Sequence, residues 1–559
     1  MNHAVLLVAV CGALAVPLAT AAASPPAPIA CNTVGYLPGR PKQATLLGQV
    51  ESFLIIRLRD GATVLAAKAS RPLLNEDTGQ TVSIADFSAL TEPGQYALAA
   101  DGTTRQVQFA IGEDVYVQPF QLVMRGMYLW RCGTAVTSLH QGDRFHHEPC
   151  HLDDALLEHV GGGRQRRVSV GGWHDAGDYN KYVVNAGATV GVMFRAWDDF
   201  KDPIQQVQLD LPESGGKLPE FLAELKWEMD WLLTMQVDDG SVWHKVSTVD
   251  FGPFIPPDKE REPRYFALWS SAATADLVAM TAMAARYFAP YEPEYADKCL
   301  RAAKRSHAFL SREPADRRPD LRAFKTGGYD SPDGDDRLWA DAEMWETTGE
   351  REYLVAFERR LKSPDANGAA RGLQAIATFD ADWDWPNLKN LGLFTYLFSK
   401  RDGRDPALVT HLQDSLRATA DGIVKTANRH GYGRTLGTRY YWGCNGSVAR
   451  QTMVLQAAYR LTGDEAYRNA GLDAIHHLLG RNVFGRSYVT GLGDRPPLHP
   501  HDRRSGGDEV EAPWPGYLVG GPNPQASDWH DRQEDYRTNE IAINWNGALI
   551  YALAGYLED

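Results

Sequence analysis

Cysteine is scarce in this sequence. The 559 residues contain six cysteines, too few for a scaffold built on disulfides. Positive charge is also in deficit, since 57 Lys and Arg stand against 71 Asp and Glu and the formal net charge is −14. This balance argues against nucleic acid or an anionic membrane as the main partner. The 44% hydrophobic and 23% charged fractions argue against disorder, collagen and coiled coil.

Long hydrophobic runs are missing except near the first residue. Residues 4–18 are apolar and uncharged, but this run is shorter than the roughly 20 residues that a membrane span needs. Small residues suited to signal peptidase follow at 19–23. We therefore expect a signal peptide over residues 1–23, a secreted or periplasmic protein, and no membrane association once the signal is removed. Lipidation at Cys31 is the alternative.

Aromatic residues and glycine, in contrast, are abundant, with 15 Trp, 23 Tyr and 51 Gly. Flat aromatic faces and many loops suit a protein that binds sugars, although core aromatics would give the same count. Residues 28–112 contain short alternating segments separated by Gly, Pro and Asp turns, which predict a small antiparallel β-sandwich.

Residues 115–559 have helical periodicity instead. Apolar residues recur at three- and four-residue steps, for example from Leu218 to Leu232 and over residues 451–461. Thr348-Gly349 and Thr462-Gly463 each follow one helical segment and precede another, so both predict corners of helical hairpins. Repeated hairpins suggest an α-helical toroid, although two similar corners also arise by chance.

Carboxylates are concentrated at two places in this helical region. Asp175 and Asp178 are separated by Ala and Gly, so they can converge on one water molecule, and each raises the proton affinity of the other. Glu540 lies between apolar neighbours just before the last helix, where a carboxyl can stay protonated and act as a general acid. An Asp-rich turn and a solvated surface carboxylate are the alternatives. Together, an acid and a base are the equipment of glycoside hydrolysis.

Three ordered motifs carry a resemblance to a known family. They are Gly-Gly-Trp-His-Asp-Ala-Gly-Asp-Tyr-Asn-Lys-Tyr at 171–182, Ser-Tyr-Val-Thr-Gly-Leu-Gly at 487–493 with Pro-His-Asp-Arg at 500–503, and the segment 529–546. They resemble the Asp-Ala-Gly-Asp, histidine and Asp/Glu signatures of glycoside hydrolase family 9. The third motif departs at Gly547, where Ser, Thr or Ala is usual. Val-Gly-Tyr-Leu-Pro at 34–38 resembles the start of the amino-terminal module of one subgroup.

The resemblance covers nearly the whole mature chain and implies an all-α (α/α)6 barrel with an open cleft, preceded by a small all-β immunoglobulin-like sandwich. It implies an endo-acting enzyme that hydrolyses β-1,4-glucosidic bonds with inversion of the anomeric configuration. The alternative is an exo-acting member that releases glucose, cellobiose or glucosamine units. Asp178 would be the general base, Asp175 would hold the nucleophilic water and Glu540 would be the general acid. Inversion predicts about 6.5–9.5 Å between the Asp178 and Glu540 carboxyls.

The resemblance also implies sugar contacts. His501 and Arg503 match positions around the cleavage point, and Asp531 matches a supporting carboxylate that orients Arg503 or the sugar. Four further residues are candidate cleft contacts, with core packing as the alternative for each aromatic: Trp442, Asn445, Trp243 and Tyr536. We expect a β-glucan or cello-oligosaccharide substrate and a monomer.

Two metal sites are predicted. Cys132, Cys150, His151 and His174 form a possible zinc set, and a disulfide between the two cysteines is the alternative in an exported chain. The resemblance favours structural zinc, because the immunoglobulin-bearing subgroup has such a site at matching positions. The segment 331–336 resembles a calcium loop of the family, with Asp335 and Asp336 as ligands, and an ordinary acidic loop is the alternative.

Overall fold

The computed structural model describes residues 26–363 and 376–558, so the predicted signal peptide lies outside the described residues. Nine strands form the amino-terminal module: β1 (Ile29–Ala30), β2 (Gly35–Tyr36), β3 (Gln43–Leu47), β4 (Ser52–Arg57), β5 (Thr63–Lys68), β6 (Leu73–Asn75), β7 (Gln80–Asp86), β8 (Gly94–Ala100) and β9 (Gln106–Ile111). They make a four-stranded sheet, β1-β3-β7-β6, and a five-stranded sheet, β2-β9-β8-β4-β5. Only β2 and β9 pair in parallel among these strands.

The sandwich core follows from the alternation of side chains along each strand. In β4, Phe53 and Ile55 are buried while Leu54 between them is exposed. Cys31 is also completely buried in this core. A thiol enclosed there cannot carry a lipid while the module is folded, so the structure argues against lipidation at Cys31.

Helices dominate the rest of the chain. They are α1 (Val117–Leu129), α2 (Val183–Gln206), α3 (Glu220–Thr234), α4 (Ser271–Phe288), α5 (Pro293–Arg312), α6 (Gly334–Thr348), α7 (Arg351–Leu361), α8 (Lys389–Phe398), α9 (Pro406–Arg429), α10 (Cys444–Thr462), α11 (Glu465–Leu478), α12 (Arg503–Gly507), α13 (Tyr536–Asn539) and α14 (Ile543–Ala554). Short strands lie between some of them: β10 (Val136–His140), β11 (Asp143–His147), β12 (Lys181–Tyr182), β13 (Lys245–Ser247) and β14 (Tyr265–Phe266).

The helices form the expected (α/α)6 arrangement of six inner and six outer helices. The inner ones are α2, α4, α6, α8, α10 and α14, and every residue of α14 is buried. The outer helices bury one face each. In α9 the buried residues recur every three or four positions, from Leu408 through Leu412 and Leu416 to Ile423, because only one stripe of this helix faces the core.

The two predicted hairpin corners are present. Gly349 ends α6 with φ 72° and Gly463 ends α10 with φ 75°. Glycine adopts this left-handed conformation without a steric cost, which lets the chain reverse directly into α7 and α11. No helix in the described ranges is both long and apolar enough to cross a membrane.

The sandwich is joined to the barrel by polar contacts around residues 430 and 431. The Asp77 carboxylate lies 2.8 Å from His430 Nε2. The Gly431 amide donates to Asn75 Oδ1 at 2.8 Å, and the Thr45 hydroxyl donates to the Gly431 carbonyl at 2.7 Å. These groups are mostly buried, so the two modules pack directly against each other at this point.

Candidate active site

One cavity of about 350 Å³ lies at the amino-terminal ends of the inner helices. The segments that precede α2, α6, α8, α10 and α14 supply most of its walls. Its lining residues are Asp175, Ala176, Asp178, Tyr182, Phe251, Gly327, Gly328, Tyr329, Asp384, Trp385, Trp442, Glu540, Ala542, Asn544 and Trp545. All three carboxylates that we expect to be catalytic are therefore brought to one site.

Asp175 and Asp178 are held by different sets of donors. Asp175 accepts hydrogen bonds from Asn185 Nδ2 and from the Tyr329 hydroxyl, both at 2.7 Å. Asp178 accepts from Asn180 Nδ2 at 3.0 Å and from the Tyr182 hydroxyl at 3.3 Å. Burial, and then the negative charge of Asp178, raise the pKa of Asp175 to about 8. Asp175 is therefore suited to stay protonated at neutral pH.

Of the two residues between the aspartates, Ala176 and Gly177, the second must be glycine. A Cβ on Gly177 would lie 2.1 Å from the carbonyl oxygen of His501. Arg503 closes the same contact, because its backbone amide and its Nη1 both donate to the Gly177 carbonyl, at 3.1 and 2.8 Å. The loop that carries the aspartates is therefore packed backbone to backbone against the histidine motif.

Glu540 is fixed by its backbone beside the same motif. It pairs with His501 in an extended bridge, and its carbonyl accepts from the Gly520 amide at 2.8 Å. Burial raises the pKa of Glu540 well above its usual range, and the charges of Asp178 and Asp175 add to the effect. Arg503 and the Trp442 indole oppose this shift without reversing it. The carboxyl is thus suited to hold a proton at neutral pH.

His501 presents one ring nitrogen to the site. Its Nδ1 donates to the Gln533 carbonyl at 2.6 Å, which leaves Nε2 as the free nitrogen. Burial lowers the pKa of His501, so its ring is neutral. Arg503 also donates from Nε to the Gly252 carbonyl at 2.9 Å. Part of its donor capacity is therefore engaged by the protein.

Exposed aromatic faces border the cavity. Trp442 is 50% exposed and Phe251 51% exposed, and both line it. Tyr536 is 47% exposed and contacts the Trp442 ring edge to face at 5.5 Å. Pyranose rings pack their C–H faces on such surfaces.

Comparison with known proteins identifies the family of this chain. Residues 116–553 match the profile of Glycosyl hydrolase family 9, and residues 24–105 match that of the Cellulase N-terminal ig-like domain. The chain belongs to glycosyl hydrolase family 9. It is 53% identical over 532 residues to Endoglucanase D of Acetivibrio thermocellus, a match that covers 95% of this chain and 83% of that one.

Solved structures of family 9 have the same fold. A metagenome-derived family 9 endoglucanase superposes with a TM-score of 0.86 at 33% identity, covering 95% of this chain and 99% of that one. A Zn-binding triple mutant of endoglucanase J30 superposes with a TM-score of 0.84 at 30% identity, covering 94% and 100%.

Two residues expected at the cleft of this family 9 enzyme are not among the lining residues of the cavity. Asn445 is completely buried and donates to the Val519 carbonyl at 3.0 Å. Trp243 packs its ring 4.2 Å from Phe266, and the Arg167 guanidinium covers it at 4.8 Å. The expectation that Asn445 contacts sugar is therefore wrong. Trp243 is half-buried against the core, and its contact with sugar stays a prediction.

Asp531 has a different partner from the one expected. Its carboxylate accepts from Arg486 Nη2 at 2.8 Å and from the backbone amides of Leu498 and His499 at 2.9 to 3.0 Å. The prediction that Asp531 orients Arg503 is wrong, while the alternative that it orients the sugar stays a prediction. Asp531 instead holds the backbone that leads to His501.

The four predicted zinc ligands converge. One nitrogen or sulfur atom from each of Cys132, Cys150, His151 and His174 lies within 4.8 Å of the others. Cys132 Sγ is 3.6 Å from His151 Nδ1, and Cys150 Sγ is 3.7 Å from His174 Nε2. Both cysteines are unpaired thiols, so the alternative of a disulfide is not what the structure contains.

The predicted calcium ligands occupy a helix and not a loop. Asp335 and Asp336 lie in the first turn of α6 and are buried. Asp335 Oδ2 accepts from the Leu388 amide, while burial and the neighbouring Asp276 raise the pKa of Asp336 well above its usual range. Calcium at these residues stays a prediction.

Several cavity residues were not predicted. Tyr329 holds Asp175, Trp385 contacts the Tyr329 ring at 5.0 Å, and Asp384 accepts from Asn544 Nδ2 at 2.8 Å. Asp384 and Trp385 belong to an alternation of Asp and Trp at 382–385. This alternation, between two helical segments, was the sequence signal from which Asp384 and Trp385 could have been predicted as cavity residues.

Proposed function

We propose that this protein hydrolyses internal β-1,4-glucosidic bonds of glucans with inversion of the anomeric configuration. The carrying observation is that Asp175, Asp178 and Glu540 line one cavity bordered by exposed aromatic faces. The resemblance to Endoglucanase D over 95% of the chain supports the substrate class and the endo mode of attack.

Asp178 acts as the general base in this mechanism. Its carboxylate, oriented by Asn180 and Tyr182, takes a proton from a water molecule while that water attacks the anomeric carbon. Asp175 shares the water and is oriented in turn by Asn185 and Tyr329. Holding the water in line with the breaking bond supplies the effective concentration that catalysis needs.

Glu540 acts as the general acid. Its burial beside two aspartates keeps a proton on it, and this proton passes to the glycosidic oxygen as the bond breaks. The neutral His501 and Arg503 border the reacting ring. The unprotonated Nε2 of His501 would accept a hydrogen bond from a sugar hydroxyl, and the remaining donors of the charged Arg503 would hold other hydroxyls. Such hydrogen bonds strengthen in the transition state. We expect the Asp178 and Glu540 carboxyls to be about 6.5–9.5 Å apart, which leaves room for the water.

Glu540→Gln tests the acid. The amide keeps the shape of the side chain but has no proton to give, so kcat on a soluble β-glucan falls by about 10²–10⁴-fold, while oligosaccharide binding measured by calorimetry persists. Glu92→Gln, an exposed change in the sandwich, is the matched control and keeps full activity. Full activity of Glu540→Gln would refute the assignment.

Two product measurements test the rest of the proposal. Proton NMR during hydrolysis shows the α-anomer first if the enzyme inverts, and the β-anomer first would contradict inversion. Viscosity falls well before reducing ends accumulate if attack is internal. Accumulation of one small product at high viscosity would instead support the exo-acting alternative.

We also propose that the Cys132 cluster holds structural zinc. Two thiols and two imidazoles are a common tetrahedral zinc set, and bonds of this kind place neighbouring ligand atoms roughly 3.6 Å apart, which is the spacing of the two sulfur–nitrogen pairs. Glu260 Oε2 lies 3.0 Å from His151 Nε2 and fixes that ring, as outer partners of zinc ligands do. The metal would tie the loop before Asp175 to the end of α1.

The remaining assignments concern export and domain boundaries. We propose that residues 1–23 direct export to the periplasm or the medium, that the sandwich spans residues 28–112 and the catalytic domain residues 115–559, and that the mature enzyme is a monomer. The apolar run at residues 4–18 supports export. The boundary is supported by the end of β9 at Ile111 and the start of α1 at Val117.

A further inference from the structure

A fully buried lysine lies behind the two catalytic aspartates. Lys245, in β13, is 0% exposed. Its ammonium donates to the Thr326 hydroxyl at 2.9 Å and to the Gly327 carbonyl at 2.8 Å. It also lies over the rings of Phe324 and Tyr182, at 4.4 and 5.3 Å from their centroids. Both hydrogen-bond acceptors are neutral, so the ammonium charge is compensated only by these two hydrogen bonds and the two aromatic rings. Burying a charge without an ionic partner in hydrogen-bond contact costs free energy.

The same strand holds the whole segment that contains these acceptors. His244 Nε2 lies 2.7 Å from the Gly328 carbonyl, and the Ser247 hydroxyl lies 2.6 Å from that of Thr326. Residues 326–328 are therefore fixed at successive positions by β13 and by His244, the residue just before it. Gly327 and Gly328 form part of the cavity wall.

The end of this segment reaches Asp175. Tyr329 adopts φ 46°, a left-handed conformation that is unfavourable for a residue with a side chain. In this conformation its hydroxyl donates to Asp175 Oδ2 at 2.7 Å. Anchoring residues 326–328 thus keeps a strained residue in the position where it orients one aspartate.

Lys245 is linked to the other aspartate as well. It pairs directly with Tyr182 across the β12–β13 ladder, and the Tyr182 hydroxyl donates to Asp178 Oδ2 at 3.3 Å. A Cβ on Gly327 would lie 3.1 Å from that hydroxyl. One lysine therefore packs against the supports of both carboxylates.

We propose that Lys245 is a positioning residue for hydrolysis: its ammonium anchors Thr326 and Gly327, in the segment that ends at Tyr329 and so holds Asp175, and its positive charge favours the ionised form of Asp178. The inference rests on the proposed role of Asp178 as the base. It assigns a role to a residue that cannot reach the sugar, because its side chain has no exposed surface.

The signs of the charges around the base make this effect measurable. Asp178 is faced by the carboxyls of Asp175 and Glu540, by Tyr182, by His501 and by Lys245. The Arg503 guanidinium is a second cation nearby, at the carbonyl of the preceding Gly177. Burial lowers the pKa of Lys245 to about 7, and Asp178 opposes the shift. Lys245 is therefore charged on the acidic side of neutrality, where a base carboxylate becomes protonated. Together with the Arg503 guanidinium, it opposes protonation there.

Lys245→Met is the first test, because methionine keeps the length of the side chain without the charge. We expect kcat to fall at least tenfold with KM changed less than threefold, and the acidic limb of the kcat/KM–pH profile to move up by about 1 pH unit. Lys42→Met is the matched control. Lys42 is also 0% exposed and donates to backbone carbonyls, those of Leu37, Pro38 and Arg40, but it lies in the sandwich.

Thr326→Val separates anchoring from charge and serves if Lys245→Met does not fold. It removes one anchor and leaves the lysine, so kcat falls several-fold while the acidic limb stays in place. Asp178→Asn separates the inference from the proposed function. If this variant keeps activity, the base is misassigned, whatever Lys245 does.

The outcomes are distinct. If Lys245→Met folds and the acidic limb of its kcat/KM–pH profile stays at the wild-type pH, the role of the charge is overturned. Wild-type kcat in Thr326→Val overturns the role of the anchor. If Lys245→Met only lowers the melting temperature, as Lys42→Met does, then Lys245 is structural and the proposal is wrong.

Discussion

The side chains at the cavity include the proposed acid and base carboxyls and, as a second group, aromatic rings on which a sugar could stack. Phe251 belongs to the second group, since it is half exposed, lines the cavity and lies 5.4 Å from the Arg503 guanidinium. A sugar stacked on this ring would gain contact without a hydrogen bond, so its contribution is to binding more than to bond cleavage.

Phe251→Ala is expected to raise KM for cello-oligosaccharides about tenfold, the effect of losing about 1.4 kcal/mol of stacking, with kcat changed much less. Initial rates on oligosaccharides of increasing length check this, because KM rises only for those long enough to reach the ring. Leu139→Ala, another exposed apolar change, controls for a general loss of apolar surface. An unchanged KM at every length contradicts the stacking role.

The comparison of Phe251 with Trp243 shows what a sequence reveals about single residues. Asp175, Asp178 and Glu540 were identifiable because their chemistry requires their residue types within recognisable motifs. Stacking residues have no such requirement, since the same aromatic side chain serves in a core. Trp243 is covered by Arg167 and Phe266, and this covering depends on contacts between distant segments.

At the scale of elements, the loop at residues 171–178 is held from both sides. The Cys132 amide donates to the Gly172 carbonyl at 2.8 Å, the His174 amide to the Trp130 carbonyl at 2.9 Å, and the Ile543 amide to the Asp175 carbonyl at 2.9 Å. The end of α1 and the start of α14 thus form the two walls against which this loop is ordered.

Removal of zinc is expected to disorder that loop. Purified enzyme should contain one zinc per chain, and chelation should lower both the melting temperature and kcat, because the metal cross-links the loop to α1. Cys132→Ser should lose the metal, measured by elemental analysis. Cys299→Ala, at a buried cysteine outside the cluster, should retain it. Metal-free wild-type enzyme with two oxidised cysteines would contradict the assignment.

Helices and turns were more predictable than the long connections. The hairpin corners followed from Gly349 and Gly463, since a left-handed residue that ends a helix is a local requirement. Residues 486–536 have no comparable periodicity, and their backbone is ordered by contacts between positions far apart within the segment, such as those of Asp531 with Leu498 and His499. Asn445 illustrates the same limit, because its amide is used by a strand-like segment far along the chain.

For the whole molecule, the contact between sandwich and barrel depends on ionisation. Burial acts to raise the pKa of Asp77, but the hydrogen bond and charge of His430 outweigh it, and the pKa is lowered. A carboxyl whose pKa falls on folding stabilises the fold above its unfolded pKa of about 4 and loses this contribution as pH falls through the folded value.

Asp77→Asn is therefore expected to lower the melting temperature at pH 6, through the loss of about 2 kcal/mol of charged hydrogen bonding, and to make little difference near pH 2. Melting curves of the two proteins across this range measure the effect. Asp60→Asn, at an exposed pair within the sandwich, is the control. An equal deficit at both pH values would show that charge is not involved.

The contact between Gly177 and His501 has a consequence for the order in which the enzyme becomes active. The two aspartates are made early in synthesis, whereas the acid and the residues packed on Gly177 come more than 300 positions later. A ribosome-bound or truncated chain that ends before residue 500 has a base without an acid and a loop without its support. On the proposed mechanism, activity therefore arises only when residues 501–540 have been made and have folded back onto the loop at residues 171–178. We therefore expect products of incomplete translation or proteolysis that end before residue 500 to have no catalytic activity.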